Sequence, residues 1–210
     1  NEPRRENALR ALWSVIVLGV LLWSGTNPKD YVTWGLEVFP AVAGGIVLWL
    51  TRERFPLTPL VYGLILVHCV ILMLGGHYTY ADVPLGEWMR EAFDGSRNNY
   101  DKIGHFAQGF IPIMIARELT IRLAIFNSVA WRNFFLICFC LAVSAFYELI
   151  EWWVALLSDE AAEAFLGTQG YVWDTQSDMG WALFGAIAAL LLLARVHDRQ
   201  LAERGYLPAV

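Results

Sequence analysis

No stretch of this sequence gathers lysine and arginine into the basic stripe that nucleic-acid binding requires. In a chain of 210 residues, 15 basic residues stand against 20 acidic ones, and they are scattered. Nucleic acid is therefore excluded as a partner. Charge of either sign is scarce, at 17% of residues. Cysteine is scarcer still: Cys69, Cys138 and Cys140 lie inside apolar runs with no C-x-x-C spacing, so they read as small packing residues. Internal repeats and low-complexity segments are absent, which leaves one domain over residues 1–210.

What the chain has in quantity is long apolar sequence. Hydrophobic residues make up 57% of it, in six runs at about 8–25, 32–50, 57–75, 103–125, 133–157 and 175–196. Runs of about 18 or more apolar residues are what a bilayer core of ~30 Å demands of a helix. The expected fold is all-α: a polytopic integral membrane protein, a bundle of six transmembrane helices. "ALWSVIVLGVLLWSG" follows arginines like a signal peptide, but no A-x-A-like site comes after it, so it reads as a retained first span. With an inside N-terminus, Lys and Arg divide eleven to four in favour of the inner segments, which predicts that both termini are cytoplasmic. Trp23, Trp34, Trp152, Trp153 and Trp173 then fall near the outer headgroups, and Trp49 and Trp131 near the inner ones. Two outer connectors carry helical patterns, "GEWMREAF" (86–93) and "SDEAAEAF" (158–165), and predict short interfacial helices.

Against that background the polar residues inside the runs stand out. Glu148 and Glu151, in "SAFYELIEWWVALL", lie ~14 and ~9 Å below the outer end of the fifth run at 1.5 Å per residue. Asp101 and His105 open the fourth run, Asp174 and Asp178 the sixth, and Glu37 lies in the outer third of the second. All of these groups fall in the outer half, whereas the inner half offers His68 and little else ionisable. Asp101/His105 and Asp174/Asp178 are i,i+4 pairs and Glu148/Glu151 is i,i+3, so each pair projects from one helical face. Three helices with two-ligand edges resemble the way bundle metal sites are built. Six carboxylates with Lys102 as the nearby fixed cation must take up protons, pair, or hold a metal.

Carboxylates with one imidazole suit Zn²⁺, Mn²⁺ or Fe²⁺. The candidate ligands of this divalent metal ion are His105, Glu148, Glu151 and Asp178. Asp101, Asp174 and Glu148 are the candidate catalytic groups, and Ser144, one turn below Glu148, could orient it. Plainer roles stand beside these. Asp174 could cap its helix, Glu37 could bond Tyr31, and His77 with Tyr80 and Asp82 could order a loop. His68 reads as a hydrogen-bonded core histidine, and Pro112 as a kink.

"GGHYTYADVPLG", "NNYDKIGHFAQGF", "FYELIEWW" and "GYVWDTQSDM" resemble the YjdF-like family of bacterial inner-membrane proteins over nearly the whole chain. More distantly, D-K-x-x-H-F, Y-E-x-x-E and D-x-x-x-D are similar to VanZ-like proteins. That pattern falls on Asp101, Lys102, His105, Phe106, Tyr147, Glu148, Glu151, Asp174, Asp178 and Gly185. The resemblance implies the bacterial inner membrane and, through the VanZ-like pattern, a cell-envelope or lipid-linked role. Glu37, His77, Lys102 and Tyr147 complete the candidate site as substrate-binding groups. The function expected is hydrolysis or transfer at a lipid headgroup or lipid-linked phosphate, at a metal site opening to the outer leaflet. Its rivals are a proton- or cation-coupled transporter and a non-catalytic lipid-binding envelope protein. Membrane lipids are the expected partners, and no oligomeric state is read from the sequence.

Overall fold

A computed structural model describes residues 2–157 and 168–208. Among them the regular elements are helical: α1 (Glu2–Ser24), α2 (Tyr31–Thr51), α3 (Pro59–Tyr78), a 3₁₀ turn (Tyr80–Asp82), α4 (Pro84–Ala92), α5 (Tyr100–Phe110), α6 (Pro112–Arg122), α7 (Val129–Leu157) and α8 (Asp174–Glu203). Helices α2, α3, α7 and α8 are long and apolar enough to cross a bilayer, and the apolar part of α1, Ala8–Ser24, is shorter. The run at 103–125 is two helices rather than one. Pro112 has no N–H to continue the ladder, so α5 closes with Ile111 N–H on the Ala107 carbonyl (2.9 Å) and α6 restarts there.

Contacts between connectors define two ends of the bundle. At one, Lys29 N–H bonds the His77 carbonyl and Asn98 N–H bonds Gln169. At the other, beside the C-terminal helix, Leu60 N–H bonds Gln200 and Arg204 bonds the Pro56 and Leu57 carbonyls. The first is the connector end, the second the terminal end. Asp30 caps α2, its carboxylate accepting from Thr33 N–H at 2.5 Å. Helix α4 is the short amphipathic helix expected at 86–93: Leu85 and Trp88 are exposed, with Phe93 just beyond its end, and Arg90 pairs with Glu87. The matching expectation for 158–165 lies outside the described residues. Trp34 differs from the aromatic belt. It turns inward, and its indole N–H donates to Ser24 Oγ (3.1 Å).

Helices α5 and α8 approach most closely, because the facing residues are small. A Cβ on Gly109 would lie 1.8 Å from the Ala182 carbonyl oxygen, and one on Gly185 would lie 2.1 Å from that of Phe106. Ala182, Ala186 and Ala189 are fully buried along the same seam. Gly109→Val should therefore destabilise the fold by at least about 1–3 kcal/mol. Thermal unfolding in detergent checks this, with Gly44→Val, which meets open space, as the neutral control. The close seam holds the polar faces of α5 and α8 side by side.

Candidate functional site

At the connector end, α2, α5, α7 and α8 bring the expected carboxylates together. Glu37, His105, Glu148, Glu151, Asp174 and Asp178 are all buried. The i,i+4 and i,i+3 spacings do aim each pair inward, as helical geometry requires. Lys102 is also buried. Its ammonium donates to Asp178 Oδ1 (2.6 Å) and Asp174 Oδ1 (2.8 Å), with Asp101 Oδ2 at 3.5 Å. Arg97, from the connector before α5, donates to Asp174 at 2.7 Å. Lys102 is thus joined by a second fixed cation that no intramembrane count reveals.

His105 faces the remaining acids. Its Nε2 lies 3.3 Å from Asp101, 3.8 Å from Glu148 Oε1 and 4.0 Å from Asp178. Its Nδ1 lies 3.3 Å from Gln108 Oε1. With Nδ1 donating to that carbonyl oxygen, Nε2 either donates its proton to Asp101 or, once deprotonated, turns its lone pair on a metal ion as a ligating histidine does. One ligand atom from each of His105, Glu148 and Glu151 falls within 4.8 Å of the others, and the same holds for Asp101, His105 and Asp178. Glu148 Oε1 is buried without a hydrogen-bond partner among the described residues. Ser144 Oγ is equally without one, so Ser144 does not bond Glu148.

Glu37 Oε2 accepts a hydrogen bond from the Tyr147 hydroxyl at 2.9 Å, so it turns inward rather than to Tyr31, which is exposed. His77 is placed elsewhere: its Nδ1 meets the Ser24 carbonyl (2.9 Å) and its ring packs on Trp23 and Tyr78. Tyr80 lies beside the cluster instead, its ring accommodated by Gly75 and Gly104. A cavity of about 250 Å³ runs inward from Glu37, Asp101, His105 and Glu151 to His68 and Pro112. A second cleft, of about 350 Å³, lies at Tyr171, Asp174 and Thr175, beside Lys102's partner Asp174. His68 lines the first cavity and makes no hydrogen bond among the described residues, contrary to the bonded histidine expected.

The terminal end holds what the sequence reading passed over. Glu118, His197 and Arg117 are buried there. Glu118 accepts from Thr58 N–H (3.0 Å), Thr58 Oγ1 (2.7 Å) and Arg122 (2.9 Å), and meets His197 Nε2 at 3.1 Å. Arg117 has no acceptor atom, so it donates to His197 Nδ1 (2.9 Å) and to Asp198 (2.7 Å). His197 Nε2 then carries the proton and donates to Glu118, so one neutral tautomer serves both contacts. The end of the bundle away from the carboxylates is therefore not poor in ionisable groups. Glu118 with Arg122 at i+4, inside the fourth run, was the signal available. Between the two polar clusters lie Val61, Ile113, Met114, Ala186 and Ala189, fully buried and apolar.

A family model described as "Predicted membrane protein (DUF2238)" matches residues 9–199. The chain is 48% identical over 186 residues, 89% of each sequence, to the inner membrane protein YjdF of Escherichia coli (strain K12). No solved structure matches. The YjdF-like resemblance is carried by these matches; the VanZ-like one is not.

Proposed function

The chain belongs to the DUF2238 membrane-protein family and resides in the bacterial inner membrane, and from that premise we propose that it is a metal-dependent hydrolase or transferase of lipid phosphates. In this reading it crosses the bilayer six times, α5 and α6 together forming one crossing. Both termini face the cytoplasm and the connector end faces the outer leaflet. The ligands are His105 Nε2, Glu148 and Glu151, holding one Zn²⁺, Mn²⁺ or Fe²⁺. The observation that carries this is Glu148 Oε1, a buried acceptor without a donor among the described residues, 3.8 Å from a histidine nitrogen whose ring meets Gln108. A nitrogen with carboxylate oxygens fits borderline to hard divalent ions.

Asp178 shares its oxygen with Lys102 at 2.6 Å, which favours a supporting place over ligation. Lys102 and Arg97 together offset the charge of Asp174 and Asp178, so those acids can remain buried. Asp174 is taken up by hydrogen bonds from both cations; Asp101, beside His105 at 3.3 Å, is the better placed acid/base group. When bound, a divalent ion supplies Lewis-acid polarisation of a phosphoryl oxygen. Water can approach along the cleft at Tyr171, Asp174 and Thr175.

Two tests follow. Gln108→Leu removes the orienting acceptor and should weaken metal affinity about 10–100-fold, measured by competition with a chelating dye. Metal affinity equal to wild type would remove Gln108 from the site. The transport alternative requires a polar route past Val61, Ile113 and Met114, which are apolar and fully buried. Proteoliposomes should accordingly show no proton or divalent-cation flux above protein-free vesicles. Flux abolished by Glu151→Gln would favour transport.

A further inference from the structure

The cavity beneath the carboxylates has walls of two kinds. Toward the connector end stand Glu37, Leu72, Asp101, His105 and Glu151; deeper, the lining is His68, Phe146 and Val143. Helix α2 packs on α3, and α7 packs on α8, α6 and α5. The Tyr147–Glu37 hydrogen bond bridges α2 and α7 at the level of the cluster. Below it, Pro40 of α2 and Phe146 of α7 line the cavity and are themselves exposed on the surface of the bundle.

Helix rise sets the depths. Glu37 is six residues from the connector end of α2 and Glu151 six from that of α7, or ~9 Å. Pro40 lies at ~14 Å and Phe146 at ~17 Å on the same basis, and His68 at ~15 Å. In membrane-spanning helices, surface at that depth meets acyl chains, not water. The cavity thus has a charged roof near headgroup level and a side opening at chain level. A polar group without a partner in the hydrocarbon layer is costly, and His68, which makes no hydrogen bond among the described residues, stands at the level of the side opening.

We propose that this cavity is a lipid-phosphate site. The phosphate lies under the roof, the chain leaves sideways between Pro40 and Phe146, and His68 donates a hydrogen bond to the oxygen linking head to chain. This rests on the metal reading for how the phosphate is held, and adds the entry route and the residue that reads the linkage. At about 250 Å³ the space exceeds the ~150 Å³ that accommodates a benzene ring. It holds a phosphate and its linkage, not whole chains, so the chains must lie outside, in the slot. Tyr147 closes the slot from above, and a lipid enters below it from the leaflet.

The test uses full-length protein in nanodiscs of bacterial phospholipid, with two photoreactive probes. One is a phosphatidic acid with a diazirine in its acyl chain; the other is a prenyl phosphate with a diazirine in its chain. Adducts are mapped by mass spectrometry, and metal content is measured on the same samples. Adducts at Pro40, Val143 and Phe146 should exceed those at Val15 and Leu18, exposed residues of α1, about tenfold. The probe that produces them names the chain class. Val143→Trp, which fills the slot, and His68→Leu should each reduce the enrichment severalfold with metal content unchanged. Even labelling of α1 and the slot by both probes, with metal present, overturns the lipid site alone. Enrichment without metal upholds the entry of a chain through the slot but overturns the metal reading and, with it, the placing of the phosphate under the acidic roof.

Discussion

Glu118→Ala is expected to lower the melting temperature of the detergent-solubilised protein by roughly 6–20 °C. The carboxylate is fully buried and receives Thr58 N–H, Thr58 Oγ1, Arg122 and His197. Removing it leaves those donors without an acceptor in a region closed to water. Breaking a buried charged network by deleting one member costs about 3–5 kcal/mol, because the others remain buried. Arg122 is committed to this place: its guanidinium lies 3.5 Å from the Phe55 ring centroid and 4.2 Å from that of Tyr206, and it also bonds the Pro56 carbonyl at 2.7 Å. Glu118→Gln keeps an acceptor oxygen and should lose much less. Metal binding should survive both substitutions wherever the protein is folded, since the apolar layer of Val61, Ile113 and Met114 separates the two clusters. Metal lost with Glu118→Ala in folded protein would mean that the clusters are coupled.

Glu148→Ala should bring metal content down from one equivalent per chain to below about a tenth. Changing a group that merely orients a ligand costs 10–100-fold in affinity, and Glu148 is proposed as a ligand itself. Its Oε1 has no donor among the described residues, whereas Glu118 accepts from four, so the truncation should destabilise the bundle less than Glu118→Ala does. That contrast separates a site from a staple. Elemental analysis and thermal unfolding on the same sample read both. Unchanged metal content, or lost metal with a collapse in stability, would place Glu148 in the scaffold.

Much of the connector-end cluster was legible because helical periodicity is rigid. Ionisable pairs at i,i+4 or i,i+3 on long apolar runs have no favourable direction but inward, so Asp101 with His105, Glu148 with Glu151, and Asp174 with Asp178 followed from spacing. Arg97 did not, because it sits in a connector, where a charge is unremarkable until the chain folds over Asp174. Gln108 is neutral and carries no charge signal, though its place three residues from His105 puts it on the same face. His77 was misjudged through proximity in sequence: the turn after Tyr78 swings Tyr80 to the cluster and leaves His77 against Ser24. Glu118 was passed over, and Arg117 and Arg122 entered only in the count of basic residues on the inner segments. Their partners, Thr58 and His197, lie 60 and 79 residues away from Glu118. No local pattern announces such a network, because its cause is tertiary. The kink at Pro112 was foreseen, but not that it divides the crossing into one helix for each cluster.

Anomalous diffraction at the zinc, manganese and iron edges, on crystals of protein purified without chelator, tests the shared site most directly. One peak is expected, within about 2.0–2.2 Å of His105 Nε2 and of a carboxylate oxygen from each of Glu148 and Glu151. A peak beside Asp174, where Lys102 and Arg97 now sit, or no peak in crystals soaked in each metal, would contradict it.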